Sequence, residues 1–425
     1  MDQHLETHSK DTDPTVASIE KGPVKQDAEL LDGGARAWGV AIGSSWVLFA
    51  TFGYANAFGV LQEYYQTHQL RGETPSEISW IGSLQMFFLF GSALIGGPLF
   101  DMFGAKILWP AAAAYIFSVF MTSLCNSYYQ FMLAQGILGG ISMGMSMAPC
   151  LAATGQYFQK KRGAAMGITI AGSSLGGVIF PIALGKMLNS NKLGFGWSIR
   201  ICAFMMLGLL VPACMLIRAR LPPRRGKFLL LTAFKDMHYV SIIASVFLMM
   251  LGLFMPFFYL PTYGIAHGMS TELASYIVSI LNAASFFGRV VPGILADKLG
   301  RLNMLCAAGL STGILIFCFQ RLQSNASIIV FSVLYGFCSG AIVSLMTVAL
   351  AQVPKDAKDI GTYLGMGMCV VGFAVLIGPP VDGALVSRYG GFDQVSTMSG
   401  VFVVIGGLGM IISMHASGKG VFARN

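Results

Sequence analysis

The chain has 425 residues, of which 55% are hydrophobic and only 11% charged, and its mean hydropathy is +0.68. A soluble domain carries about 25% charged residues, and surface area grows too fast with mass for a water-facing protein to hide this much apolar surface. A soluble enzyme and a disordered chain are therefore excluded. The net charge of +8 would suit nucleic acid in a soluble protein. Here it sits in short segments between apolar runs, where membrane topology accounts for it, and no nucleic-acid partner is expected.

Residues 1–37 hold eight of the 19 acidic residues and almost no large apolar side chains. Such a segment cannot offset its ordering entropy and is expected to be a disordered tail. It lacks the apolar core of a cleaved signal peptide. Twelve apolar runs follow, each near the ~20 residues that a bilayer crossing needs. They predict helices at 38–62, 79–100, 107–125, 130–156, 164–186 and 197–217, then at 239–262, 272–296, 302–320, 327–352, 361–384 and 396–416. A polar stretch at 218–238, with Pro222 and Pro223, separates the two sets, and a short tail, 417–425, closes the chain. The expectation is an all-α membrane protein with two six-helix halves, 38–217 and 239–416.

Charge sets the orientation. With the N-terminus inside, 20 of the 27 Lys and Arg residues fall on cytoplasmic segments, six fall outside, and Arg289 lies within a helix. That bias predicts cytoplasmic termini and a cytoplasmic 218–238 loop. The eight cysteines lie in or beside apolar segments, and none has C-x-x-C spacing. They read as small apolar fillers, with no metal or cofactor expected.

The chain repeats itself. Gly-Gly-Pro-Leu-Phe-Asp-Met-Phe-Gly-Ala-Lys at 96–106 parallels Gly-Ile-Leu-Ala-Asp-Lys-Leu-Gly-Arg at 293–301, and Asp101 and Asp297 are 196 positions apart. Gly163 and Gly361, which follow the loops after helices 4 and 10, are 198 apart. Two halves in parallel repeat with a basic linker are the layout of major facilitator transporters. In the repeated motif, glycines allow a sharp turn and close helix approach. Its Asp can accept from backbone N–H groups at a helix start or pair with a base. One reading is a tight turn with a solvated carboxylate. The other, favoured by the duplication, is a conformational latch built from Gly97, Asp101, Gly293, Asp297 and Arg301.

Three further segments carry a more specific likeness: Asp32-Gly33-Gly34-Ala35-Arg36-Ala37-Trp38 before helix 1, Tyr157-Phe158-Gln159-Lys160-Lys161-Arg162-Gly163-Ala164-Ala165-Met166-Gly167 leading into helix 5, and Gly378-Pro379-Pro380 in helix 11. Over residues 32–416 the chain resembles the monocarboxylate porter family, in its fungal branch. The resemblance implies a transporter for organic acids, riboflavin or secondary metabolites. Read without it, Lys160, Lys161 and Arg162 suit the negative end of the helix-4 dipole and anchor topology.

Arg289 is the one base well inside a helix, eight residues before Asp297. A guanidinium in hydrocarbon costs several kcal/mol, so it should face a wet cavity, where its fork suits a carboxylate. The plainer reading is a snorkelling base. The resemblance adds that family members use a helix-8 Arg for substrate anions. Proton-coupled members resemble a pattern with Lys in helix 1 and Asp one turn before that Arg, but here Asn56 and Ser285 stand in those places. The usual proton relay is thus missing, and Asp382, near the expected outer end of helix 11, is the candidate for proton coupling. Tyr54, Asn56, Phe258 and Asn282 join Arg289 as candidate substrate contacts, and Met143, Met145 and Met147 suit a pliable apolar lining. Asn325-Ala326-Ser327 is a glycosylation sequon on a short outer loop.

These features point to a secondary active or facilitative transporter that moves a small or medium organic anion or metabolite by alternating access. Export of a secondary metabolite fits better than monocarboxylate- or riboflavin-like uptake, which would want the absent Lys and Asp. A non-transporting receptor with this fold is the alternative from another class, and it would want a long folded cytoplasmic domain. An enzyme would need a His/Asp/Glu constellation at membrane depth, and none is visible. The expected setting is a monomer in the plasma membrane, with the lipid bilayer and a small-molecule substrate as its partners.

Overall fold

The computed structural model describes residues 33–189, 193–223 and 229–416. The expectations for the first 32 residues, including Asp32, for Arg224, Arg225 and Lys227 of the central loop, and for the tail from 417 lie outside the described residues.

Among the described residues, ten helical stretches are long and apolar enough to cross a bilayer. One of them, Ser76–Thr122, is 47 residues long. It turns at Gly104, whose φ of +67° only glycine adopts readily, and so supplies two crossings. Gly300 repeats the device 196 positions later with φ +99°. A first helix, interrupted twice, completes the set of twelve. The helices are α1 (35–67), α2 (Pro75–Gly91, continued by Ala93–Phe103), α3 (Leu108–Thr122), α4 (Tyr128–Tyr157), α5 (Arg162–Leu188) and α6 (Gly194–Leu216). The second half holds α7 (Met237–Leu253, continued by Met255–Ala266), α8 (Thr271–Leu299), α9 (Arg301–Cys318), α10 (Asn325–Gln352), α11 (Ile360–Tyr389) and α12 (Asp393–Ala416).

Three expected helices are not continuous: α1, α2, which breaks at Ser92, and α7. In α1 the pieces are Ala35–Ala50, Phe52–Ala55 and Phe58–Thr67. Thr51 Oγ1 donates to the Val47 carbonyl at 2.7 Å, a back-bond that competes with the helical ladder and bends it. In α7 the break at Phe254 precedes Pro256, which has no N–H to continue the ladder. A further difference concerns α11, which runs to Tyr389 rather than 384 despite Pro379 and Pro380 within it. Asp382 consequently lies seven residues before the helix end, about 10 Å of rise inside it.

Within the first half α1 packs on α4, α5 and α6, and α2 on α4; within the second, α7 and α9 pack on α12, and α8 on α10. The halves meet along α5 with α8 and α2 with α11, supported by α5 with α10 and α4 with α11. Lipid is as apolar as leucine, so close packing rather than hydrophobic exclusion holds such helices together. Glycine makes the two main seams possible. A Cβ on Gly293 would sit 2.6 Å from the Gly163 oxygen, and one on Gly361 would sit 2.5 Å from the Gly97 oxygen.

Candidate functional site

The two Asp motifs lie at one end of the bundle, and each reaches across to the opposite half. The first helical N–H groups of any helix lack intrahelical partners and carry the positive end of its dipole. Neither α5 nor α11 has a side-chain cap from its own N-cap residue. Asp101, buried at the end of α2, accepts from the N–H groups of Gly361 (3.1 Å) and Thr362 (2.6 Å) and from the Thr362 hydroxyl (2.7 Å). Asp297, at the end of α8, accepts from Gly163 and Ala164, both at 2.9 Å. Each carboxylate thus caps the helix start of the other half. Gly97 and Gly293, one turn earlier, form the close seams that bring the carboxylates within reach. Arg301 pairs with Asp297 at 3.2 Å and donates to the Gln159 carbonyl at 2.5 Å. Position 105, four after Asp101, is Ala, so this base has no counterpart in the first copy.

Arg162 corrects the sequence reading, which gave it to topology along with Lys160 and Lys161. Those two lysines are exposed, but Arg162 is buried. It donates to the carbonyls of Phe158 (3.0 Å) and Gly155 (3.2 Å) at the end of α4 and of Ala351 (2.9 Å) at the end of α10. Its five rigid donors let one side chain satisfy the orphan carbonyls of two helix ends in different halves. The sequence signal was its place in the signature segment 157–167, beside Gly163. The other signature residues converge nearby: Trp38 meets Phe158 in a tilted contact with centroids 4.9 Å apart, Tyr157 is buried beside it, and Gly167 packs against the backbone of Arg289. Gly33 and Gly34 precede α1, with Gly34 at φ +94°.

Deeper in the bundle, Arg289 of α8 crosses to α5. It is 3% exposed, donates from Nη1 to the Ile170 carbonyl at 3.0 Å and to Ser173 Oγ, and stands over the Phe52 ring at 5.9 Å. Its Nε has no partner, and it forms no ion pair with a carboxylate among the described residues. Its hydrogen-bond and ring partners are all neutral.

Asn56 and Asn282 come together from opposite halves at Gly177, where a Cβ would sit 3.0 Å from Asn56 Nδ2 and 2.8 Å from Asn282 Oδ1. Asn56 donates weakly to the Ser173 carbonyl (3.5 Å), while Asn282 Oδ1 is buried with no partner. Ser173 and Gly177 of α5 join these groups. Two other candidates are not part of this cluster. Tyr54, two positions from both Phe52 and Asn56, lies on the far side of the turn. It is buried edge-on against Phe180, and its hydroxyl has no partner. Phe258 is 44% exposed, with its ring against Phe254. The methionine cluster is also divided: Met147 faces the interface of the halves, Met143 Sδ accepts from Gln85, and Met145 backs onto Gly96.

Asp382 is 1% exposed. Its Oδ1 accepts from Ser399 at 3.2 Å and its Oδ2 has no partner. Asn325 is exposed in the first turn of α10, and Ser327 of the sequon belongs to that helix's capping box with Ser324.

The model of the Major Facilitator Superfamily matches residues 40–357 and 290–417. The chain belongs to this superfamily. Among curated major facilitator relatives, it is 59% identical over 413 residues to an aspyridones efflux protein from Emericella nidulans, covering 96% of this chain and 84% of the relative. It is 39% identical over 380 residues to an agnestins efflux protein from Paecilomyces divaricatus, covering 88% and 86%. Two solved major facilitator structures share the fold at 14% identity. The human organic anion transporter MFSD10 superposes with a TM-score of 0.74, covering 89% of this chain and all of that one. The proton:xylose symporter XylE superposes with a TM-score of 0.70, covering 88% and 95%.

Proposed function

We propose that this major facilitator transporter exports an anionic secondary metabolite by alternating access. The observation that carries the reading is the Arg289 guanidinium, buried where the halves meet and held only by neutral groups. A buried charge without a counter-ion is costly unless a ligand supplies one. The relatives named as efflux proteins support export. The Trp38–Phe158 contact, which joins two signature segments, supports kinship with the monocarboxylate porter branch. The test is paired metabolite profiling of cells lacking and overexpressing the protein. An acidic metabolite should build up inside the deletion strain and outside the overexpressing one. Identical profiles inside and outside in both strains would refute export.

The crossed carboxylate caps support a latch that holds this end of the bundle closed. By the distribution of Lys and Arg, that end is cytoplasmic, and the protein works as a monomer in the plasma membrane. Single-cysteine labelling from outside intact cells, in a cysteine-free background, should reach Lys192→Cys and miss Arg224→Cys. Labelling of the second position would reverse the orientation.

A further inference from the structure

Between the two halves lies a crevice of only about 10 Å³, room for roughly one water. Its walls include Phe52 of α1, Met147 of α4, Ile170 of α5, Met346 and Thr347 of α10 and Met368 of α11. Because the walls come from both halves, any rocking of one half against the other changes this volume.

The seam borders the anion site directly. Ile170 supplies the carbonyl that accepts from Arg289 at 3.0 Å, and Phe52 supplies the ring under its guanidinium. The seam itself offers a ligand no free hydrogen-bond donor. Thr347 is the one polar residue in its lining, and its hydroxyl already donates to the Ser344 carbonyl of its own helix at 2.7 Å. Three of the walls are fully buried methionines, one from each of three helices. Methionine is unbranched and polarisable, so it re-packs around a guest more readily than leucine.

We propose that this methionine seam is the collapsed seat of the substrate's apolar body. The transporter then takes amphipathic organic anions, with one acidic group for Arg289 and a hydrophobic chain or ring system continuous with it. The proposal rests on the reading of Arg289 as the anion site. A uniformly polar anion finds nothing to bind in the seam, and a neutral hydrocarbon leaves the Arg289 charge without a counter-ion.

The test measures binding of straight-chain monocarboxylates, butanoate to dodecanoate, to the full chain in nanodiscs, corrected for empty nanodiscs. Affinity should rise about fourfold per added methylene, the value for full burial of a CH₂. The Met147→Gln/Met368→Gln double variant keeps side-chain length but adds amides. It should cut the increment below about twofold. An unchanged increment in that variant overturns the seam. Arg289→Gln should weaken every member of the series while keeping the increment. Unweakened butanoate there sinks the anion site, and the increment still reports on the seam. A dodecanoate with a terminal diazirine, photolysed on the wild-type protein, checks the seat without any variant. Adducts at Met147, Met346 or Met368 support it, and adducts confined to exposed residues such as Phe117 or Leu207 overturn it.

Discussion

Arg289→Ala is expected to abolish transport of an anionic substrate, and Arg289→Lys to impair it severely. The side chain is 3% exposed and spends Nη1 on Ile170 and Ser173, leaving Nε without a partner. An ammonium keeps the charge, but it cannot hold two positioning contacts and still present a planar fork to a carboxylate or enolate. Hydrogen bonds to charged groups contribute about 1.5–3 kcal/mol, so binding should weaken by roughly tenfold or more. Flux in proteoliposomes, with thermal stability measured in parallel, checks this. Full flux in Arg289→Ala would make Arg289 a structural base that merely ties α8 to α5. The same vesicles address coupling. With Ser rather than Asp at position 285, one turn before Arg289, flux should depend only weakly on an imposed pH gradient beyond the substrate's own ionisation. Strong gradient-driven accumulation that vanishes in Asp382→Asn would instead assign the proton to that buried carboxyl group.

Asp101→Asn and Asp297→Asn should each weaken the latched state by about 1–3 kcal/mol, the range for a charge-assisted contact. The amide keeps one acceptor oxygen but turns an NH₂ group toward one of the two N–H groups that the carboxylate now receives. Transport should fall while expression at the membrane persists, and cysteines at this end should become more reactive. The two ties are separate in space but hold the same interface, so the double variant should show nearly the sum of both effects. Wild-type flux and unchanged accessibility in both single variants would reduce the motifs to turns.

The fold was legible because bilayer crossings announce themselves by length and hydropathy, and because Asp101 and Asp297 mark the repeat. Helix interruptions were harder to read. The first break in α1 comes from one Thr hydroxyl folding back on its own helix, and threonine does the same without consequence in many helices. Residue type pointed to contacts between the halves where a charge is anomalous, as at Arg289 and the two aspartates. It was a poor guide where direction decides. Tyr54 and Asn56 stand two positions apart, yet only Asn56 meets Asn282. Arg162 was hidden among Lys160 and Lys161, because charge alone does not separate a buried bridge from two solvated neighbours.

The crossed caps have a consequence for the solvent. Since α5 and α11 have no cap from their own N-cap residues, parting the halves leaves bare peptide N–H groups for water to satisfy and takes those donors from both carboxylates, while Arg301, in the same half as Asp297, stays paired with it. In the proposed latch, unlatching is then a hydration reaction, with the released groups wetted as the gap widens. Its equilibrium constant carries the activity of water raised to the number of molecules taken up. Osmolytes excluded from protein surfaces hold the ends together, so a cell under osmotic stress would slow its own efflux through this protein without any change in its expression.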